Sequence, residues 1–293
     1  MRSASIKEAL QSASLQLREA ETEAPRREAL LLLAASLNRP LAYLYAHGDD
    51  LLSEEEVTFY QSWIDRRCCG EPYAYLCGER EFFGLPFYVT PACLIPRPET
   101  ELLVEAAAQG LKDVSTPEIL EVGTGSGAIA VTLAVLLPGA RVTAVDVSAS
   151  ALAVAARNAA RHRVGDRITF LQGDLYAPVA GKDFCFAAVV SNPPYIPSAT
   201  LSALPRDVRD FEPRLALDGG PDGLHFYRRL TEELPTLFCK PTLLAFEVGQ
   251  GQAEAVAYLC RGSGYEKVHV LEDLAGMQRV IFACFTSTFL RWK

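Results

Sequence analysis

The chain has 293 residues, 49% of them hydrophobic and 22% charged, which is enough to build two domains around buried cores in ordinary globular proportions. No apolar run is long enough for a membrane-spanning helix, and the start Met1-Arg2-Ser3-Ala4-Ser5-Ile6-Lys7 lacks the apolar core of a secretory signal, so a cytoplasmic location with no membrane partner is expected. A net charge of −8 argues against a dedicated nucleic-acid clamp, which gains affinity by neutralising phosphates.

Residues 1–77 read as helices. Ile6, Leu10, Leu15 and Leu17 begin one amphipathic stretch, and Ala29-Leu30-Leu31-Leu32-Leu33-Ala34-Ala35 lies in a second. A third follows Ser53-Glu54-Glu55-Glu56, where Ser53 suits the cap and the glutamates suit the positive helix end. Glycine is absent before Gly48, and strand-like alternation is missing. Through residue 80, nine Lys/Arg stand against thirteen Asp/Glu, so this helical domain is no phosphate clamp; with the site chemistry carried by the rest of the chain, it is the expected substrate-recognition domain.

Residues 78–95 form a linker in which Glu81-Phe82-Phe83-Gly84-Leu85-Pro86-Phe87-Tyr88-Val89 reads as two short aromatic strands about a Gly-Leu-Pro turn. Across 96–293 apolar strands alternate with helices. Ile119–Val122, Val142–Val145, Ile168–Leu171, Ala187–Val190 and Leu243–Phe246 are candidate strands, with helices such as Leu152–Arg161 and Gln252–Cys260 between some of them. The fold class is therefore α/β, a mostly parallel sheet covered by helices on both faces. The run Val280–Phe285 follows a candidate strand at Lys267–Leu271 too closely for a crossover helix, which predicts an antiparallel strand at one sheet edge.

The first strand of the sheet runs into Gly123-Thr124-Gly125-Ser126-Gly127, with a helix directly behind. Glycines let the backbone turn tightly and let a cofactor approach without a Cβ in the way. Alone this is a weak signal, because Gly123-x-Gly125-x-x-Ala128 also satisfies a relaxed dinucleotide fingerprint. The second strand ends at Asp146, where a carboxylate can hold both ribose hydroxyls; nicotinamide and S-adenosylmethionine cofactors share that feature. The third leads into Gly173-Asp174, where Asp174 is either an adenine contact or a turn residue and helix cap. No phosphate-binding Gly-x-x-x-x-Gly-Lys-Ser/Thr loop occurs.

The fourth strand ends in Ser191-Asn192-Pro193-Pro194-Tyr195. Two prolines stiffen the backbone and remove two amide donors, leaving carbonyls as the polar groups on offer. A strand-ending turn is the plain reading; after a Gly-rich turn and two acids at strand ends, an acceptor site is the better one. An amide nitrogen is a poor nucleophile because its lone pair is shared with the carbonyl, a conjugation whose full loss in a peptide costs roughly 18–20 kcal/mol. Such a site must align and polarise it. The Asn192 side-chain oxygen and the Pro193 carbonyl can each accept one N–H of a primary amide, and Tyr195 can cover the flat acceptor and favour a sulfonium charge. Alignment of this kind is worth up to about 7–11 kcal/mol. The eight cysteines are scattered without a Cys-x-x-Cys pair, and the four histidines show no His-x-x-x-His pair, so reduced cysteines and no metal are expected.

Asn-Pro-Pro-Tyr resembles the acceptor motif of amino-methylating enzymes, both adenine DNA methyltransferases and protein glutamine methyltransferases. Four further segments narrow the resemblance to the release factor glutamine methyltransferases, the HemK/PrmC family: Leu94-Ile95-Pro96-Arg97-Pro98-Glu99-Thr100-Glu101, Phe211–Gly220 with Asp222-Gly223-Leu224, Phe246-Glu247-Val248-Gly249, and Asp273–Val280. It spans about Pro72 to Phe282. The resemblance implies a Rossmann-like seven-stranded S-adenosylmethionine-dependent methyltransferase sheet, its last strand antiparallel, behind a small all-α domain. It implies S-adenosyl-L-methionine as cofactor, held by Gly123, Thr124, Gly125, Ser126, Gly127, Asp146, Asp174 and Leu175 with Asn192 near by. Asn192, Pro193, Pro194 and Tyr195 then form the catalytic and substrate site. Leu175 stands where the family often has an aromatic residue, which puts adenine packing in question. The implied substrate is the glutamine of the Gly-Gly-Gln loop in class 1 peptide chain release factors, and a monomer is expected. A glutamine methyltransferase acting on a ribosomal protein, an adenine DNA methyltransferase and a non-catalytic nucleoside-binding assembly protein are the alternatives.

Overall fold

The computed structural model describes residues 4–285. Two compact units emerge: residues up to Glu79 with Pro205–Phe211, and Arg80–Leu204 with the chain from Glu212 onward.

The first unit contains α1 (Ile6–Glu19), α2 (Pro25–Ser36), α3 (Leu41–Ala46), α4 (Glu54–Cys68) and α5 (Tyr73–Cys77). Two of these starts are written in capping boxes: Ser5 with Glu8 and Ser53 with Glu56 satisfy each other's backbone N–H groups. Ile6, Leu17, Leu32, Leu33 and Ile64 are almost fully buried together. Each such aliphatic side chain contributes about 1.5–3 kcal/mol through burial. The Tyr60 hydroxyl donates to the Ala29 carbonyl at 2.8 Å, so this buried phenol is satisfied.

In the second unit a two-stranded ribbon, β1 (Glu79–Phe82) and β2 (Leu85–Tyr88), comes first. Its turn is Phe83-Gly84, not the expected Gly-Leu-Pro: both residues have positive φ, 54° and 70°, as a two-residue hairpin turn requires, and Leu85 and Pro86 already lie in the second strand. Then come α6 (Glu101–Leu111), β3 (Glu118–Val122), α7 (Ala128–Leu136), β4 (Arg141–Asp146), α8 (Ala149–Arg161), β5 (Ile168–Gln172) and β6 (Ala188–Ser191). After α9 (Arg206–Phe211), the short helix that groups with the first unit, follow α10 (His225–Glu232), β7 (Leu243–Glu247), α11 (Ala253–Gly262), β8 (Lys267–Glu272) and β9 (Gln278–Cys284).

The seven strands β3–β9 form one sheet in the order β5-β4-β3-β6-β7-β9-β8. Strands β3 to β7 run parallel, and β9 pairs antiparallel with both β7 and β8. The last strand is thus antiparallel as expected, but it lies inside the sheet rather than at its edge; β8 takes the edge. The reason is burial: Val280, Ile281, Phe282, Ala283 and Cys284 are fully buried, a run suited to an interior strand, whereas every residue of β8 keeps some exposure. Successive strand residues serve opposite faces. Ile119, Val142 and Val190 meet α6, α7 and α8, whereas Leu120, Val145 and Val189 meet α10 and α11.

The cysteine expectation needs one correction. Cys185 and Cys239 form a disulfide, with Cα atoms 4.9 Å apart. They precede β6 and β7, whose parallel pairing begins at Ala188 opposite Leu243 and so draws the two loops together. A separation of 54 residues gave no hint of this neighbourhood. The other six cysteines form no disulfide.

Candidate active site

From β3 the chain first builds outward through β4 and β5, then returns to place β6 on the other side of β3. Such a reversal opens a crevice beyond the carboxyl ends of the strands, the usual ligand position in open α/β sheets. A cavity of about 440 Å³ lies there.

Its first wall is the turn after β3. Gly123 and Gly125 have φ of 78° and 54°, and a Cβ on either would meet nothing within 4 Å, so the turn presents bare backbone to open space. Gly127 is needed for packing instead, because it stands at the start of α7, where a Cβ would come within 3.0 Å of Ala155. Glu121, fully buried near the end of β3, accepts the Thr124 hydroxyl on one oxygen at 2.6 Å, while its other oxygen has no hydrogen-bond partner. Burial pushes its carboxyl up to about 8, so at neutral pH it is mostly protonated and anchors the turn without placing a full charge beneath the cavity.

Asp146 closes β4. Its two oxygens accept backbone N–H bonds from Gly125 at 2.8 Å and Ser148 at 2.9 Å, which hold the carboxylate still at the cavity wall. A carboxylate oxygen has lone pairs beyond the one each bond uses, so both oxygens can still accept ribose hydroxyls. Beyond β5, Asp174 also reaches the cavity, but its carboxylate is paired with the Arg229 guanidinium at 2.9 Å. Leu175 is buried, and its backbone is in the left-handed region at φ 47°, uncommon for a residue with a branched side chain.

After β6 come Asn192, Pro193 and Pro194, all in the cavity wall. The Asn192 Nδ2 donates to the Thr100 hydroxyl at 3.2 Å. Tyr195 does not line the cavity. Its ring packs into the core on the α10–α11 face, and its hydroxyl donates toward the buried Glu247 at 3.4 Å. The stretch 217–223 braces this turn: Gly219 N donates to the Ile196 carbonyl at 2.8 Å, and a Cβ on Gly219 or Gly223 would come within 2.7 or 2.3 Å of the Tyr195 backbone. Gln252 Nε2 adds a bond to the Tyr195 carbonyl at 2.9 Å.

Of the residues expected from sequence, Gly123, Thr124, Gly125, Ser126, Asp146, Asp174, Leu175, Asn192, Pro193 and Pro194 line this one cavity, and Gly127 and Tyr195 stand behind it. Residue-level reasoning gave no role to Thr100, Arg97, Phe226 or Arg229, which also line it. Arg97 is ion-paired with the buried Glu212, and Glu212 also accepts the Ile95 N–H at 3.2 Å, so two distant segments are tied into one wall. The signal for these residues was the pair of segments 94–101 and 211–220, recognisable as patterns but silent about contact. Among the described residues no cluster of three or more His, Cys, Asp or Glu is placed to hold a metal.

The cavity suits an adenosyl cofactor: bare glycine backbone for close approach, a fixed carboxylate at the second strand end, and apolar cover from Val122, Val147, Leu175 and Phe226. Comparison with known proteins agrees with this chemistry. Residues 8–78 match the model for the PrmC N-terminal domain, and residues 98–204 match that for the methyltransferase small domain. The chain is 47% identical to the release factor glutamine methyltransferase of Moorella thermoacetica over 95% of its own length and 98% of the relative's. For the enzyme of the same name in Geobacter sulfurreducens, the values are 42%, 90% and 91%. Among solved structures, the hMettl16 catalytic domain superposes with a TM-score of 0.60 over 83% of this chain and 85% of that one, at 15% identity, a likeness of fold alone. A Gly-rich turn, a carboxylate at the second strand end and an Asn-Pro-Pro-Tyr segment gathered on one such sheet, in a chain 42–47% identical to such enzymes over 90–95% of its length, make it a member of the release factor glutamine methyltransferase family.

Proposed function

We propose that this enzyme transfers a methyl group from S-adenosyl-L-methionine to the side-chain amide nitrogen of the glutamine in the Gly-Gly-Gln loop of class 1 peptide chain release factors. The observation that carries the reading is that Asn192 and Pro193 stand in the wall of the same cavity as the Gly123–Ser126 turn and Asp146. Acceptor groups and cofactor groups share one space.

In this reading Asp146 takes the ribose hydroxyls, the glycine turn lies along the amino-acid portion, and Asp174 and Leu175 flank the adenine. S-adenosylmethionine supplies an electrophilic methyl on a positively charged sulfur. The protein's part is alignment. Asn192 Oδ1 and the Pro193 carbonyl each accept one N–H of the glutamine amide, which turns the nitrogen lone pair toward the methyl. Pro194 keeps the turn rigid, and Tyr195 holds it from behind. No side-chain nucleophile is needed, because the methylated nitrogen becomes strongly acidic and sheds its proton. With a net charge of −8 and no described helix long and apolar enough to cross a membrane, we place the enzyme in the cytoplasm as a monomer without direct nucleic-acid contact.

Mass spectrometry after incubation with labelled cofactor tests the substrate: the Gly-Gly-Gln peptide of a release factor should gain one methyl group, and ribosomal proteins and adenine-containing DNA none. Methylation of either of those alone would replace this reading by the alternative.

Asp146→Ala is expected to weaken S-adenosylmethionine binding by about 1.5–3 kcal/mol in a folded protein, since two charge-assisted hydrogen bonds are lost. Calorimetry reads this directly, and an unchanged affinity would remove Asp146 from the site.

The helical residues 1–77, with the linker 78–95 leading to the catalytic residues 96–293, are the part we assign to recognising the factor. Their acidic excess would complement a basic substrate that works against ribosomal RNA. Replacing the exposed Glu19, Glu21 and Glu23 together by Lys should raise the KM for the factor about tenfold at low salt, without changing cofactor binding. An unchanged KM at low salt would take recognition away from that surface.

A further inference from the structure

A chain of hydrogen bonds runs behind the acceptor site. Asn192 Nδ2 donates to Thr100 Oγ1 at 3.2 Å, and Thr100 Oγ1 donates to Glu247 Oε2 at 2.5 Å. Both Thr100 and Glu247 are buried, at 5% and 2% exposure, so water competes little for the bond between them. We infer that Thr100 and Glu247 are positioning residues, which lock the Asn192 amide with its nitrogen turned inward and its oxygen presented to the amide being methylated.

The argument is one of donor and acceptor polarity. An ionised carboxylate only accepts, so the single hydroxyl proton of Thr100 must go to Glu247. What Thr100 then offers Asn192 is a lone pair, which only the NH2 end of the side-chain amide can use. The Asn192 oxygen, which has no hydrogen-bond partner on the protein among the described residues, is left for the cavity. An asparagine amide is otherwise nearly symmetric in shape and free to turn over. With its nitrogen outward it would meet the substrate N–H groups donor to donor. Thr100 lies just before α6 and Glu247 ends β7, 147 residues apart in the chain, so only the fold makes the relay.

The relay depends on the charge of Glu247. Burial pushes its carboxyl up to about 7, with Glu99 adding to the rise and the Thr100 and Tyr195 hydroxyls and the Arg279 charge opposing it. Arg279, on β9, is itself engaged by Asp273, and the Tyr227 hydroxyl from α10 bonds the Glu247 backbone carbonyl at 2.7 Å rather than the carboxyl. When Glu247 takes up a proton it becomes a donor toward Thr100. The Thr100 hydroxyl hydrogen is then released toward Asn192, and the amide orientation is no longer imposed. Turnover should therefore rise with pH as Glu247 ionises.

The inference rests on the acceptor reading above, and its test is built so that the two can fail separately. Thr100→Val keeps the shape and cuts the relay; Thr100→Ser keeps the hydroxyl. In Thr100→Val, kcat on a release factor should fall about tenfold to a hundredfold at saturating cofactor, as expected for a misaligned acceptor, with S-adenosylmethionine affinity unchanged. Thr100→Ser should restore it. The wild-type rise of kcat through pH values near 7 should disappear in Thr100→Val and survive in Thr100→Ser. Independently of any substrate, the nitrogen-15 resonance of the Asn192 side-chain amide, assigned by its loss in Asn192→Asp, should titrate with Glu247 in the wild type and in Thr100→Ser, and should be silent in Thr100→Val and Glu247→Gln. If the resonance titrates as described but no release factor is methylated, the substrate reading falls and the relay stands. A resonance indifferent to Thr100→Val, or a Thr100→Val enzyme with full kcat and an unaltered pH profile, overturns the relay.

Discussion

Asn192→Ala is expected to lower kcat on the release factor by about a hundredfold while S-adenosylmethionine binds nearly as before. Asn192 lines the cavity and its nitrogen is tied to Thr100 at 3.2 Å, and in the proposed reading its oxygen takes one N–H of the acceptor amide. In that reading truncation removes one of the two groups that orient the glutamine amide. A correctly placed methyl then faces a nitrogen whose lone pair sweeps through many directions. Each tenfold loss of rate corresponds to about 1.4 kcal/mol, so a hundredfold loss is the size of one or two hydrogen bonds made by a desolvated group. The fold should tolerate the change, because Asn192 lies beyond the end of β6 and belongs to neither hydrophobic cluster of the sheet. Single-turnover kinetics at saturating cofactor, set against calorimetric S-adenosylmethionine affinity, measure the two effects apart. Loss of affinity on the scale of the loss of rate would make Asn192 a cofactor ligand first and an acceptor residue second.

Changing the substrate should give a larger effect still. A release factor whose target Gln is replaced by Glu should not be methylated at a detectable rate. The substitution removes the nucleophilic nitrogen and both N–H donors, and in the proposed site it sets a carboxylate against the Asn192 and Pro193 oxygens, where their partial negative charge and the missing donors both oppose binding. Replacement by Asn keeps the amide but withdraws it by one methylene, roughly 1.5 Å, and a displacement of that order costs about a hundredfold. Adenine offers an exocyclic amino group of similar geometry, so adenine-containing DNA belongs in the same assay. A net charge of −8 leaves it little electrostatic reason to approach. Equal methylation of all three factors, or efficient methylation of the DNA, would mean that the cavity reads something other than a primary amide at a fixed reach.

Much of this protein is legible before folding. Glycines at 123, 125 and 127 between an apolar run and a helix predict a tight turn, which points to a cofactor only once Asp146 and Asn192 follow at the ends of later strands, because βα repetition puts every strand end on the same side of the sheet. Ser5–Glu8 and Ser53–Glu56 carry their helix starts in local hydrogen bonds, which need no tertiary context. Short apolar runs marked all seven strands of the large sheet to within a few residues, and the short connection before β9 marked its direction as well.

Position within the sheet was another matter. Nothing local tells β9 to insert between β7 and β8, since a short connection permits either neighbour and only the burial of both faces of Val280–Cys284 selects the interior place. The pairing of Cys185 with Cys239 is decided the same way, by β6 and β7 lying side by side. Tyr195 reads from sequence as a lid on the acceptor, yet the fold turns its ring into the core and its hydroxyl toward Glu247, because the brace from Gly219 and Gly223 fixes the backbone beneath it. Asp174 reads from sequence as an adenine contact or a turn residue, and its pairing with Arg229 from α10 appears only in the fold. Sequence by itself determined the kinds of groups present and the strand ends that carry them, because turns, caps and periodicities act within a few residues. Which groups face the cavity, and which stand behind it and hold the others in line, was decided by contacts such as Thr100 with Glu247, made across a hundred residues or more and visible only once the sheet has closed around them.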